Sequence, residues 1–219
     1  MCYFVNPVQK LSTIEKQYRK KFKDKKGAIA PDETHRAKIS GFSYPELPLI
    51  LPDTADFGVW GLIPDFAKAV DAFRKETNTL NARIETLAEK AVFKSSLNNR
   101  CVLPIQSFFE YQWLDTKGKQ KRLFEISATN DNLLSLACIF NIYENWGKRF
   151  LSFSIITTQA NELMAEIHNS KKRMPVVLEA EEVDLWLQRE PISLFENRNK
   201  VKLTAVAEPI EPDAQLSLF

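Results

Sequence analysis

The chain has 219 residues, 44% of them hydrophobic and 26% charged, with a formal net charge of +2. This balance fits a globular protein of one large domain or two small ones. Apolar runs stay well short of the roughly 18 residues that a membrane-spanning helix needs, and the near-neutral charge confines any nucleic-acid binding to a local patch.

The amino terminus lacks the basic-then-apolar pattern of a signal peptide, so a cytoplasmic protein working beside the nucleoid is expected. Cys2, Cys101 and Cys138 are too few for a disulfide framework in a chain of 219 residues. Cys101 and Cys138 lie in the apolar runs CVLPI and LLSLACIF and read as small buried hydrophobes. With His35 and His168 the only histidines and no CxxC, no metal site is expected. No cofactor, no membrane contact and a monomeric chain complete the expectation.

Met1-Cys2 opens the chain. Removal of the initiator methionine gives Cys2 a free α-amine beside its thiol, a 1,2-aminothiol. The amine condenses with an aldehyde and the thiol then closes a thiazolidine ring. An ordinary α-amine titrates near about 8 and a thiol near about 8.5, so both reactive forms are accessible at neutral pH without strong tuning.

Residues 3–9 read as a strand holding Cys2 against the core. Residues 11–26 read as a helix, with Leu11, Ile14, Tyr18 and Phe22 at helical spacing, Ser12 or Thr13 as cap and a basic end from Arg19 to Lys26. That end suits the helix dipole or faces phosphate. Residues 27–40 read as polar loop, 41–51 as proline turns and a strand, and 57–64 as a strand ending at Pro64. Residues 65–78 form a polar, helical insertion, and a helix starts at Glu85–Lys90. From Arg100 to Ile156 the pattern is β-rich, with RCVLPIQSFFEYQWL read as two strands broken near Gln106-Ser107. A turn at Gly118, three more strands, a short helix at Ala160–Ile167, an acid-capped helix at Glu179–Gln188 and a late strand VKLTAVA follow.

Five motifs stand in order along the chain: Met1-Cys2, Trp60-Gly61-Leu62-Ile63-Pro64, Asn81-Ala82-Arg83 with Glu85-Thr86, Phe108-Phe109-Glu110-Tyr111, and Ile167-His168 with Arg173-Met174-Pro175. Together they resemble the SOS-response-associated peptidase (SRAP) family. The resemblance spans Met1 to about Ala207. It implies an α+β fold: one domain (1–207) with a curved, barrel-like mixed or antiparallel β core and short peripheral helices. It also implies a sensor of abasic sites in single-stranded DNA that joins its terminal cysteine to the sugar aldehyde as a thiazolidine crosslink.

On this resemblance Cys2 is the nucleophile and Asn81 bonds the reacting group or the sugar. Glu110 moves protons and orients the amine, and His168 serves as acid and base. Arg83 holds a phosphate or, alternatively, pairs with Glu85 or Glu110. Arg173 takes either job, while Pro45 and Trp60 shape the DNA-binding pocket. Three departures stand out. Cys2-Tyr3-Phe4-Val5 lacks the family's early arginine, Phe42-Ser43-Tyr44 precedes Pro45 where an asparagine is usual, and Asp65-Phe66 replaces a tryptophan pair. Phe66 is then the remaining wedge against the bases.

Residues 208–219 read as a flexible acidic tail. Its end, Gln215-Leu216-Ser217-Leu218-Phe219, is similar to the short peptide by which bacterial repair proteins bind the sliding clamp, with Gln215 on the pocket rim and Leu216, Leu218 and Phe219 as apolar contacts. Two other functions stay open from sequence: a thiol peptidase, self-processing if anything, pairing Cys2 with His168, and a non-catalytic adaptor for single-stranded DNA and the clamp.

Overall fold

The structure, a computed structural model, describes residues 2–22, 38–130, 132–145 and 147–209. The amino-terminal part holds β1 (Phe4–Pro7), α1 (Leu11–Tyr18), β2 (Ile39–Ser40), β3 (Glu46–Ile50) and β4 (Ala55–Trp60). Next come α2 (Val70–Glu76), β5 (Asn81–Arg83) and α3 (Ala91–Lys94). The long strands are β6 (Arg100–Trp113), β7 (Lys121–Ala128), β8 (Leu134–Asn145) and β9 (Lys148–Gln159). The chain then runs through α4 (Glu162–Ile167), β10 (Arg173–Pro175), β11 (Val177–Leu178), α5 (Ala180–Leu187) and β12 (Leu203–Ala207).

Among the described residues these strands form one mixed sheet of twelve. Pairings run β8–β9–β4–β3–β6 and back from β6 to β8, so five strands close a ring. The α+β class and curved β core agree with expectation. The closure is a ring of strands rather than a true barrel, because β3 and β6 share only the pair Ile50↔Val102.

Side chains alternate across this sheet, as the two-residue period of a strand requires. In β8, Leu136 and Cys138 join a cluster fed by all five ring strands, including Leu49, Trp60, Leu103 and Phe153. Ala137 and Ile139, which alternate with them, face a second cluster, covered by Ile14 of α1 and Trp186 of α5. Cys101 and Cys138 are buried, free and opposite each other in the β6–β8 ladder.

Several boundaries differ from the sequence reading. β6 is one strand, not two. The break expected near Gln106-Ser107 marks where its partner changes, from β8 (Arg100–Ile105) to β7 (Ser107–Trp113). Ser107 stays inside the sheet because it hydrogen-bonds Glu125. α1 ends at Tyr18, since Arg19 turns left-handed at φ 53°. Glu15, taken from the helix's buried side, accepts from Phe22 N at 3.2 Å and folds the chain back. Its N-cap is Lys10, without a side-chain cap, in place of Ser12 or Thr13. Helix does not start at Glu85: Ile84–Thr86 make a 3₁₀ turn, and α3 begins at Ala91. Glu179 caps α5 in a capping box with Glu182. Of the expected loop at 27–40, residues 39–40 are β2, and 27–37 lie outside the described residues.

Candidate active site

The site is assembled from four elements. Cys2 lies just before β1, and β1 is paired with β6 (Phe4↔Phe109) and β2 (Phe4↔Ser40). Its side chain is fully buried in the ring cluster, with Sγ 3.7 Å from Phe4 O. Burial, assisted by the Glu110 carboxylate, pushes the thiol far above its ordinary range. The sequence expectation of a thiol needing little tuning is therefore corrected: with no exposed surface, Cys2 stays protonated at neutral pH.

Asn81 opens β5, which runs parallel to β9 through Asn81↔Ile155. Its position is set from behind. Trp60 Nε1 donates to Leu80 O at 2.8 Å, Ile155 N to the same oxygen at 3.1 Å, and Ser154 Oγ to Thr79 O at 2.5 Å. The Asn81 side chain then donates from Nδ2 to Cys2 O at 2.8 Å. Its Oδ1 is buried and accepts no hydrogen bond from the described residues.

Glu110 lies on β6, buried among Phe108 and Phe109. Burial raises its carboxyl pKa, so it holds a proton to higher pH than a surface glutamate. His168 follows α4 and is also buried. Three hydrogen bonds among the described residues fasten this corner to the end of β6: Gln112 Nε2 donates to Glu166 O at 3.0 Å, Trp113 N to Asn169 Oδ1 at 3.0 Å and Asn169 Nδ2 to Trp113 O at 2.9 Å. Glu110 and His168 are thus held on adjoining elements. His168 Nδ1 lies 2.9 Å from Arg173 O and 3.2 Å from Arg173 N. One nitrogen cannot serve both: Nδ1 donates to Arg173 O in one neutral tautomer and accepts from Arg173 N in the other, and either tautomer keeps one ring lone pair. Burial is the main cause that lowers the His168 pKa to about 4, leaving a neutral imidazole at pH 7.

A groove of about 410 Å³ is lined by Tyr3, Asn78, Asn81, Arg83, Lys90, Phe93, Lys171 and Arg173, so the chain neighbour and the hydrogen-bond partner of Cys2 reach it while the cysteine side chain stays buried. Arg83, Lys90 and Lys171 are exposed, and among the described residues none makes an ion pair. Arg173 differs. It is buried, grips Glu85 through both nitrogens (2.5 and 2.9 Å) and donates to Thr157 O at 2.7 Å. Of its two possible jobs it holds the structural one. Glu85 is thereby taken, and Arg83 is left facing the groove.

Two expected DNA contacts change character. Trp60 is fully buried, stacked 6.4 Å from Phe153, and supports Leu80 from beneath, so it cannot touch DNA. Pro45 is half-buried, and its carbonyl accepts from Trp60 N at 2.9 Å. Phe66 is 59% exposed and edge-on to Phe73 at 6.3 Å. Sequence reading missed Lys90 and Lys171, which gave no motif signal. It also missed Lys38, whose ammonium lies 5.3 Å from the Phe4 ring centre and 5.9 Å from that of Phe109. The clamp-like residues Gln215, Leu216, Leu218 and Phe219 lie outside the described residues.

Fold and site together define an α+β protein with a buried cysteine at the start of its sheet and a cationic groove alongside. The model of the SOS response associated peptidase (SRAP) family matches residues 6–212, and the chain belongs to that family. The abasic site processing protein YoqW of Bacillus subtilis is 39% identical over 133 residues, 58% of this chain and 54% of that protein. The abasic site processing protein HMCES of Rattus norvegicus is 30% identical over 164 residues, 63% of this chain and 46% of that protein. The chain spans about half the length of these curated relatives. A solved protein from Bacteroides thetaiotaomicron superposes with a TM-score of 0.82 at 28% identity, covering 94% of this chain and 91% of that one. One from Bordetella bronchiseptica, at 19% identity and TM-score 0.77, shares the fold over 95% of this chain and all of that one.

Proposed function

We propose that this chain captures abasic sites in single-stranded DNA as a thiazolidine on Cys2, once Met1 is removed. The single observation that carries the reading is the 2.8 Å bond from Asn81 to the Cys2 carbonyl, which fixes that residue beside the cationic groove. The names of the relatives YoqW and HMCES support the substrate.

The chemistry balances with loss of one water. The Cys2 amine attacks the sugar aldehyde carbon, and water leaves to give an imine. Sγ then adds to the imine carbon, and the thiol proton passes to nitrogen as the ring closes. Proton transfers of this kind suit Glu110, whose raised pKa lets it both give and take, and the lone pair on neutral His168. Arg83, Lys90 and Lys171 hold the phosphates, with Lys38 a further cation beside Phe4. Phe66 wedges against a base. The tail engages the sliding clamp.

The thiol-peptidase reading needs a thiolate, and burial of Cys2 opposes one. Abasic single-stranded DNA is incubated with the processed protein and its intact mass measured. The expected product is protein plus DNA less one water. No adduct, or an equally heat-stable adduct with Cys2→Ser, would falsify the proposal.

A further inference from the structure

We propose that Tyr3 and Phe42 form a stacking platform for the nucleobase next to the abasic site. This rests on the reading of the groove as a single-strand site.

Phe42 is an apolar ring left 54% exposed. It sits on the 3₁₀ turn Gly41–Ser43, which is pinned on every side. Gly41 N donates to Tyr3 O at 2.8 Å, Tyr44 N to Gly41 O at 2.9 Å, and Ser43 Oγ to Ser40 O at 2.7 Å. Ser40 Oγ accepts from Phe42 N at 3.3 Å. The turn lies on Trp60 so closely that a Cβ on Gly41 would come within 3.1 Å of the indole. A ring carried on a pinned turn yet left half in water contributes little to folding. It does offer a binding surface whose ordering cost is already met.

The Phe42 ring packs 4.9 Å from that of Tyr3, tilted by 33°. Tyr3 hydrogen-bonds Asn78 through its hydroxyl and lines the groove with Arg83, Lys90 and Lys171. Tyr3 is also the residue after Cys2, its Cα about 3.8 Å from that of the reacting residue across a trans peptide bond. Flat aromatic surface beside exposed cations that make no close ion pair among the described residues is the pairing that recognises a base with its phosphate. An apolar protein partner would have no use for the three cations.

The test uses processed protein and single-stranded DNA carrying a stable tetrahydrofuran abasic analogue, which has no aldehyde, with 2-aminopurine on either side. Wild type should quench the fluorophore on one side. Phe42→Ala should lose that quench and bind on the order of tenfold more weakly, with an unchanged melting temperature. Phe42→Leu should resemble Phe42→Ala, and Phe42→Trp should restore both signals. Wild-type quench and affinity in Phe42→Ala, or full rescue by leucine, overturns the platform. Crosslinking of wild type to true abasic DNA is scored separately. Its absence with the quench intact would sink abasic capture and leave the stacking site standing.

Discussion

The side-chain amide of Asn81 donates to the Cys2 carbonyl across 2.8 Å, joining residues 79 positions apart. Asn81→Ala removes the only described side chain that holds this carbonyl. Crosslinking should slow by about 10²-fold, the scale of a small misplacement of a reacting group. The melting temperature should change little, as loss of one half-exposed hydrogen bond costs about 1 kcal/mol. Equal rates for wild type and Asn81→Ala in a gel time course would remove the pin from the mechanism.

Cys2→Ser should abolish the heat-stable adduct and keep the fold, because a hydroxyl can take over the contact with Phe4 O. Its amine still forms an imine, which borohydride should trap. An uncleavable amino-terminal extension should instead abolish both products, since it leaves no free amine on Cys2.

His168→Ala should slow adduct formation or reversal by roughly 10²–10⁴-fold. The pH dependence of stability gives a second readout. Folded His168 stays neutral down to about pH 4, whereas an exposed histidine in the unfolded chain takes a proton below about 6.5. The unfolded chain binds more protons in that window, so stability is lost as pH falls from about 6.5 towards 4. Melting curves of His168→Gln should fall less steeply across this range than those of wild type.

The two arginines should separate. Arg83→Ala, at an exposed position, should leave melting unchanged, weaken single-strand binding and reduce the log–log salt slope by roughly one. Arg173→Ala should cost about 2–3 kcal/mol of stability, less than a fully buried pair because Glu85 is 42% exposed. Urea denaturation and salt-dependent titration of both variants decide the matter, and an Arg173→Ala protein as stable as wild type would contradict the structural assignment.

Deleting Gln215–Phe219 should leave crosslinking to free oligonucleotides unchanged and abolish binding to a bacterial sliding clamp. A fluorescent peptide of those five residues should bind the purified clamp with an affinity on the order of micromolar, as a short segment that orders on binding does. No saturation at tens of micromolar would count against the clamp.

The site was legible where chemistry is carried by unusual residue contexts. Glu110 among phenylalanines signals a carboxylate with a task, because burial there is costly. The alternation in β6 reads as strand because successive side chains there point to opposite faces. What stayed hidden depends on long-range contacts. Nothing local says that Arg173, rather than Arg83, reaches Glu85, or that Lys38 comes to rest over Phe4. Trp60 looked like a pocket wall, and only the Leu80 carbonyl that it holds shows it to be a support. The false break at Gln106-Ser107 came from reading a change of neighbours as an end of strand.

The burial of the Cys2 thiol also bears on selectivity. Alkylating agents and peroxides react with thiolates, and a sulfur kept protonated inside the sheet is shielded from them. In the proposed reaction an aldehyde would arrive by another door: the amine would take it first, and the tethered carbon would then be delivered to the sulfur from within. On the proposed chemistry the protein needs no guard against cellular oxidants while it waits. The order of the two bonds does the discriminating, and a nucleophile too sluggish for chance encounters is reserved for the one partner already fastened beside it.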